Sequence, residues 1–177
     1  MRAGAALVQE LDPRSAGTRA AVEARPALDG SPVSLAVLFA SPHFLGTAEP
    51  LLEAVRDELG PVPLIGCVGE SVVGGGREIE GEPAVSLWLA AGAGPVETFA
   101  MEFVRTSAGG VFSGWRFDHE ARPVGSTGPG MHMLLCDPFT FPVDGLLQHL
   151  NENVPGTLVM GGMASGGLPA EFSVATC

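Results

Sequence analysis

The sequence predicts an α/β fold: a duplicated strand–helix–strand unit with a mixed sheet and additional antiparallel strands. Three observations carry this. Residues 33–40 (VSLAVLFA) are apolar nearly throughout, as in a strand covered on both faces. Leu51, Leu52, Val55 and Leu59 then share one helical face, and residues 64–68 (LIGCV) make a second short apolar run. The same order returns after residue 131. Ser41-Pro42 corresponds to Asp137-Pro138, Leu51-Leu52 to Leu146-Leu147 and Gly66 to Gly161, at offsets of 96, 95 and 95. A near-constant offset over three features points to duplication. Strand–helix–strand units of this length are natural parallel crossovers.

The elements follow in order. Residues 3–8 are small and apolar and predict a first strand. Asp12 or Thr18 caps a helix that runs to about Ala27, with Pro26 limiting it. Asp29-Gly30-Ser31-Pro32 is a turn. After the second strand, Thr47 caps a helix with Pro50 in its first turn, and Gly60-Pro61 stops it. Past LIGCV, residues 77–82 (REIEGE) form a solvated hairpin arm with Glu78 and Glu80 on one face. Residues 84–90 and 97–104 are two further strands around a turn at 92–95. Residues 105–130 are rich in Gly, Ser and Pro. They predict a linker between halves of about 1–104 and 131–177, pinned by Trp115. Then come a strand at 131–136, a helix through Leu146, Leu147 and Leu150, and a second apolar-glycine stretch at 158–167.

Composition narrows the function. The chain has 177 residues, enough for one domain with its own core, and a mean hydropathy of +0.30. Its net charge of −11 argues against nucleic acid or an anionic membrane surface as partner. There is no lysine, which removes a Schiff base and the P-loop lysine. No apolar run reaches membrane-spanning length, and the first residues lack a signal-peptide core. Cys67, Cys136 and Cys177 are odd in number and widely spaced, which places the chain in a reducing, cytoplasmic compartment.

Residues 64–76 (LIGCVGESVVGGG) form the candidate ligand rim. Gly66 and Gly69 interrupt a buried strand, as at bulges or close approaches of another group to the backbone. Glu70 and Ser71 follow where the strand ends, and Gly74, Gly75 and Gly76 supply a turn able to use positive φ. Ser41 and Asp137 occupy equivalent carboxyl ends of strands, the favoured ligand crevices of α/β sheets. The candidate binding set is Ser41, His43, Gly66, Cys67, Gly69, Glu70, Ser71, Gly74, Gly75, Gly76, Asp137 and Ser165, with Glu70 facing the crevice. The competing structural reading is a tight strand connection with an exposed glutamate.

No metal or cofactor is expected. His43, His119, His132 and His149 lack ligand spacing, there is no Cys-x-x-Cys, and the G-x-G-x-x-G pattern opening a helix is absent. A hydrolase would use Cys67 or Ser71 with His43 as base. Cys67 also suits plain packing as a small hydrophobe. A small-molecule binding module fits these residues better than an enzyme. A protein-interaction scaffold without a small ligand is the other alternative.

The segments LAVLFASPHF, PLIGCVGESVVGGGREIE, PAVSLWLA, LLCDPFTFPVDGLLQHLN and LVMGGMASGG together resemble the N-terminal FIST domain, named for F-box and intracellular signal-transduction proteins. The resemblance covers roughly Gly4 to Gly167. It implies a bacterial sensory domain for a small ligand, with amino acids the suggested class and no established catalytic residue. It also implies a C-terminal FIST domain as the usual continuation, and the expectation is that this domain is absent here. Ten residues follow Gly167, room for about one short strand. Leu158, Val159 and Met160 would then border an open edge. The expectation is self-association or binding of a C-terminal continuation.

Overall fold

The apolar runs flanking the first predicted crossover pair in parallel. Strand β2 (Leu35–Ala40) lies beside β3 (Leu64–Val68), in register from Ala36–Leu64 to Ala40–Val68. The structure is a computed structural model describing residues 1–107, 109–114 and 131–166. Between these strands run a 3-10 turn (Pro42–Thr47) and helix α2 (Ala48–Leu59). Leu51 and Val55 are buried on its inner face, and Gly60, at φ 75°, ends it.

Strand β1 (Arg2–Gln9) pairs antiparallel with β6 (Ala84–Ala91), and β6 pairs antiparallel with β2. The sheet order is β1-β6-β2-β3. Helix α1 (Pro13–Ala24) starts at Asp12, whose side chain accepts the Ser15 N–H at 2.8 Å. That bond holds the Asp12 carboxyl below its ordinary range. Ala16, Ala20, Ala21 and Ala24 are fully buried and let α1 pack closely on α2 and the sheet. Pro26 falls in a 3-10 turn (Arg25–Leu28) rather than in the helix.

Strands β4 (Ser71–Gly74) and β5 (Arg77–Glu80) form a hairpin whose Val72 and Ile79 pack on Leu7 and Ala84. Gly75 and Gly76, at φ 57° and 76°, give its two-residue turn. Glu78 and Glu80 are exposed, as a solvated arm requires.

The second unit repeats the first crossover. Strand β9 (Met131–Cys136), helix α3 (Val143–Asn153) and β10 (Leu158–Met163) follow a turn at Asp137, and β9 and β10 pair in parallel. The repeat extends to individual contacts. Gly66 pairs with Leu38 and Gly161 with Leu134, and at either glycine a Cβ would strike its partner's carbonyl oxygen. Gly69 N–H donates to the Ala40 carbonyl at 2.9 Å, and Ala164 N–H to the Cys136 carbonyl at 2.8 Å. Val37 and Phe39 share one apolar cluster with their counterparts Met133 and Leu135, joined by Ile65, Cys67 and Trp88. Equivalent residues meeting each other is the mark of a self-complementary, two-fold-like contact.

Two expectations are corrected. Residues 97–99 are irregular, and β7 (Glu102–Thr106) does not pair with β6 across 92–95. Both edges of β6 are already taken along their length by β1 and β2, so no third strand can join it. Instead β7 pairs with β8 (Gly109–Ser113), within the segment read as linker. Phe112 secures that hairpin, 5.1 Å from Phe103 and 5.4 Å from Phe141 between ring centroids. Trp115, His119, the remainder of the linker, Cys177 and the short strand expected after Gly167 lie outside the described residues. Among the described residues no helix is long and apolar enough to cross a membrane.

His132, half-buried on β9, gives a pH signature. Burial pushes its imidazole below the ordinary value of 6.5. Below pH 6.5 the unfolded chain therefore binds protons that the folded chain resists, and stability falls with acidification through that window. Thermal melts from pH 7.5 to 5 are expected to show this fall, and His132→Gln to flatten it. An unchanged slope in the variant would assign the effect to other groups.

Candidate functional site

In a parallel pair both strands end on the same side. The carboxyl ends of β2 and β3 stay together through the Gly69–Ala40 bond, and those of β9 and β10 through the Ala164–Cys136 bond. The two ends then meet each other. Glu70 N–H donates to the Ser165 hydroxyl oxygen at 3.0 Å, and Gly166 N–H to the Val68 carbonyl at 3.2 Å. Glu70 and Ser165 are themselves counterparts, 95 residues apart. Gly166 is buried against Val68 and Gly69, where a Cβ would collide with both. Only glycine allows this approach.

Ser41 is 2% exposed. Its hydroxyl oxygen accepts the Ala84 N–H at 3.0 Å and lies 3.2 Å from His43 Nδ1. The hydroxyl bridges the Ala84 N–H and the His43 ring, and its proton and second lone pair let it serve either tautomer of the imidazole. Ser41 thus fixes the start of β6 and orients an exposed imidazole at the strand end. Asp137 holds the corresponding turn. Its Oδ1 accepts the Phe139 N–H at 2.9 Å and its Oδ2 the Thr140 hydroxyl at 2.7 Å. The carbonyls of both residues close their turns, Ser41 onto Phe44 and Asp137 onto Phe141.

The structure therefore brings Ser41, His43, Gly69, Glu70, Asp137 and Ser165 to one run of strand ends. Glu70 and Ser165 are exposed there. The other candidates sit elsewhere. Gly66 and Cys67 lie within β3 and border a small apolar crevice of about 80 Å³ beneath α2, with Phe44, Leu51 and Val68. Glu70 does not line that crevice. Gly74 packs on Ser86 and Leu7, and Gly75 and Gly76 form the exposed hairpin tip. At about 3.3 Å per residue, β4 carries these glycines roughly 10 Å or more from Glu70. The Ser71 hydroxyl donates across the hairpin to Glu78 Oε1 at 3.1 Å.

A larger crevice of about 360 Å³ opens between α1 and the end of α2, at Arg25, Pro26, Gly30 and Glu58. It shares no residue with the strand ends. Among the described residues no group of three His, Cys, Asp or Glu side chains could hold a metal.

Neither proposed nucleophile is activated. Burial pushes the Cys67 thiol up, whereas a nucleophilic cysteine needs a lowered pKa. Ser71 faces a carboxylate rather than an imidazole, and His43 Nδ1 faces Ser41. Two residues in the arrangement were not among the candidates. Gly166 seats the second unit on the first, and its one sequence signal is a glycine directly after Ser165. Buried Ser86 donates to the Val73 carbonyl at 2.8 Å and ties the hairpin to the sheet.

Fold and strand-end geometry together define a mixed α/β domain of two βαβ units whose carboxyl ends converge. The chain matches the FIST N domain over residues 34–177 and belongs to that family of sensory, signal-transduction domains. It is 44% identical over 167 residues to an uncharacterized protein of Mycobacterium tuberculosis and to an uncharacterized protein of Mycobacterium bovis. The alignments cover 94% of this chain but only 42% and 41% of those relatives. No solved structure matches the chain.

Proposed function

We propose that the converging strand ends recognise a small zwitterionic ligand, with amino acids the suggested class, in a cytoplasmic sensory domain. The observation that supports this most is the Glu70–Ser165 contact, which joins the carboxyl ends of both parallel pairs at one place. Such ends are where α/β sheets bind ligands. The exposed Glu70 carboxylate supplies a partner for an ammonium group. The His43 imidazole and the Ser165 hydroxyl supply polar partners for the rest of the ligand. Gly69 keeps the rim low enough for a ligand to approach the backbone.

A thermal-shift screen of amino acids and related metabolites tests the reading. For any ligand found, Glu70→Gln is expected to weaken binding about tenfold or more, because it removes a charge-assisted bond. The melting temperature without ligand should stay nearly unchanged, since the Glu70 side chain is exposed. Undiminished affinity in Glu70→Gln would remove Glu70 from the site.

A further inference from the structure

We infer, resting on the strand-end reading, that the apolar crevice beneath α2 receives the side chain of the ligand and selects amino acids with a short aliphatic one, such as leucine. The crevice reaches the ligand rim. Ala40 and Val68, the last residues of β2 and β3, line it, and so does Phe44 of the 3-10 turn. Ser41 directly follows Ala40, His43 directly precedes Phe44, and Gly69 directly follows Val68.

The strand pleat explains the space. Ala36–Leu64, Leu38–Gly66 and Ala40–Val68 are register pairs, two residues apart along each strand, and so share one face. On that face Leu38, Ala40 and Leu64 pack in one core with Leu51 and Leu52 of α2. Gly66 adds no side chain between Leu64 and Val68, which leaves room between helix and sheet.

The walls define the occupant. Among the described residues Arg56 is the one charged group lining the crevice. It is exposed and pairs with the exposed Glu49 at 3.9 Å, so its charge stays at the surface. Near the rim the Ala40 carbonyl accepts the Gly69 N–H and the Val68 carbonyl the Gly166 N–H. A polar side chain entering there would lose water without gaining a strong partner. An aliphatic one gains about tenfold or more in affinity over no side chain at all. Volume sets the size. The crevice holds about 80 Å³. A cavity of about 150 Å³ accommodates benzene, so a branched aliphatic group fits here and an indole does not. Val68 lies two residues, roughly 7 Å of extended chain, from Glu70. One amino acid can therefore meet the Glu70 carboxylate with its ammonium group and the crevice with its side chain.

The test is calorimetric titration of this chain with glycine, leucine and tryptophan. Leucine is expected to bind at least tenfold more tightly than either of the others. Ala48 lines the crevice at the start of α2 and is half-buried. Ala48→Leu should fill the space, lowering leucine affinity about tenfold while glycine affinity stays within about twofold. Leu52→Ala, at a second half-buried wall, should instead narrow the gap between tryptophan and leucine. Glu70→Gln should weaken all three amino acids alike, which reads the rim separately from the crevice. Leucine binding no tighter than glycine binding, or weakened by Glu70→Gln but not by Ala48→Leu, would overturn the crevice assignment and leave the rim in place. Leucine binding that responds to Ala48→Leu but not to Glu70→Gln would overturn the rim, and with it the joint site. Absence of leucine binding would overturn the crevice assignment whatever the other amino acids do.

Discussion

Replacing Gly66 by alanine is expected to remove about 3 kcal/mol or more of stability, and Gly161→Ala at least as much. The two sites are the same site in the two units. At each, β-strand backbones approach so closely that a Cβ would run into a carbonyl oxygen, of Leu38 in one case and Leu134 in the other. Backbone cannot swing aside as a side-chain tip can, so the ladder must open. Gly161 carries a second penalty, because its φ of 145° is one that alanine resists. Gly75→Ala is the control. It too has a positive φ, 57°, but a Cβ there meets open space, so about 1 kcal/mol is expected. Urea denaturation followed by circular dichroism reads all three. A Gly66→Ala cost below that of Gly75→Ala would show that the strands separate easily and that the glycine is not a packing requirement.

Phe44→Ala is expected to cost about 3–5 kcal/mol. Phe44 is 1% exposed and sits in the 3-10 turn directly after Ser41. Its ring packs into the main core and walls the apolar crevice beneath α2. Its N–H also donates to the Ser41 carbonyl at 3.1 Å. Deleting the ring therefore leaves a cavity under the turn that orients His43, and ligand affinity should fall along with stability. Phe44→Leu, which keeps most of the volume, should recover most of both. A Phe44→Ala chain as stable as the parent would mean that the turn is held by its backbone bonds alone.

Much of this fold was legible because its signals are local. The continuous apolar run of β2, the one-sided face of α2 and the Gly60 stop each specify an element from a few neighbouring residues. The repeat was legible because three such features recur at one spacing. What was missed depends on competition between distant segments. Residues 97–104 carry strand-like composition, but whether β7 can join β6 is decided by β1 and β2, which take both of its edges first. The candidate site was half legible for a related reason. A glycine looks the same in sequence whether it serves a turn, a close approach or a ligand rim. Gly75 and Gly76 serve a turn, while Gly66, Gly74 and Gly166 serve close approaches. Ser41 and Asp137 lie at strand ends as expected, yet the Ser41 side chain also ties down the start of β6 and the Asp137 side chain closes its own turn, roles their spacing does not reveal. The meeting of Glu70 with Ser165 spans 95 residues, and only the repeat offset hints at it.

The most direct measurement is a backbone amide NMR titration of the ¹⁵N-labelled chain with the ligand that gives the largest thermal shift among the standard amino acids. The account predicts saturable shifts concentrated at residues 40–43, 69–71, 136–137 and 164–166, from both units at once. Saturable shifts confined to the crevice around Arg25, Gly30 and Glu58, with the strand ends silent, would contradict it.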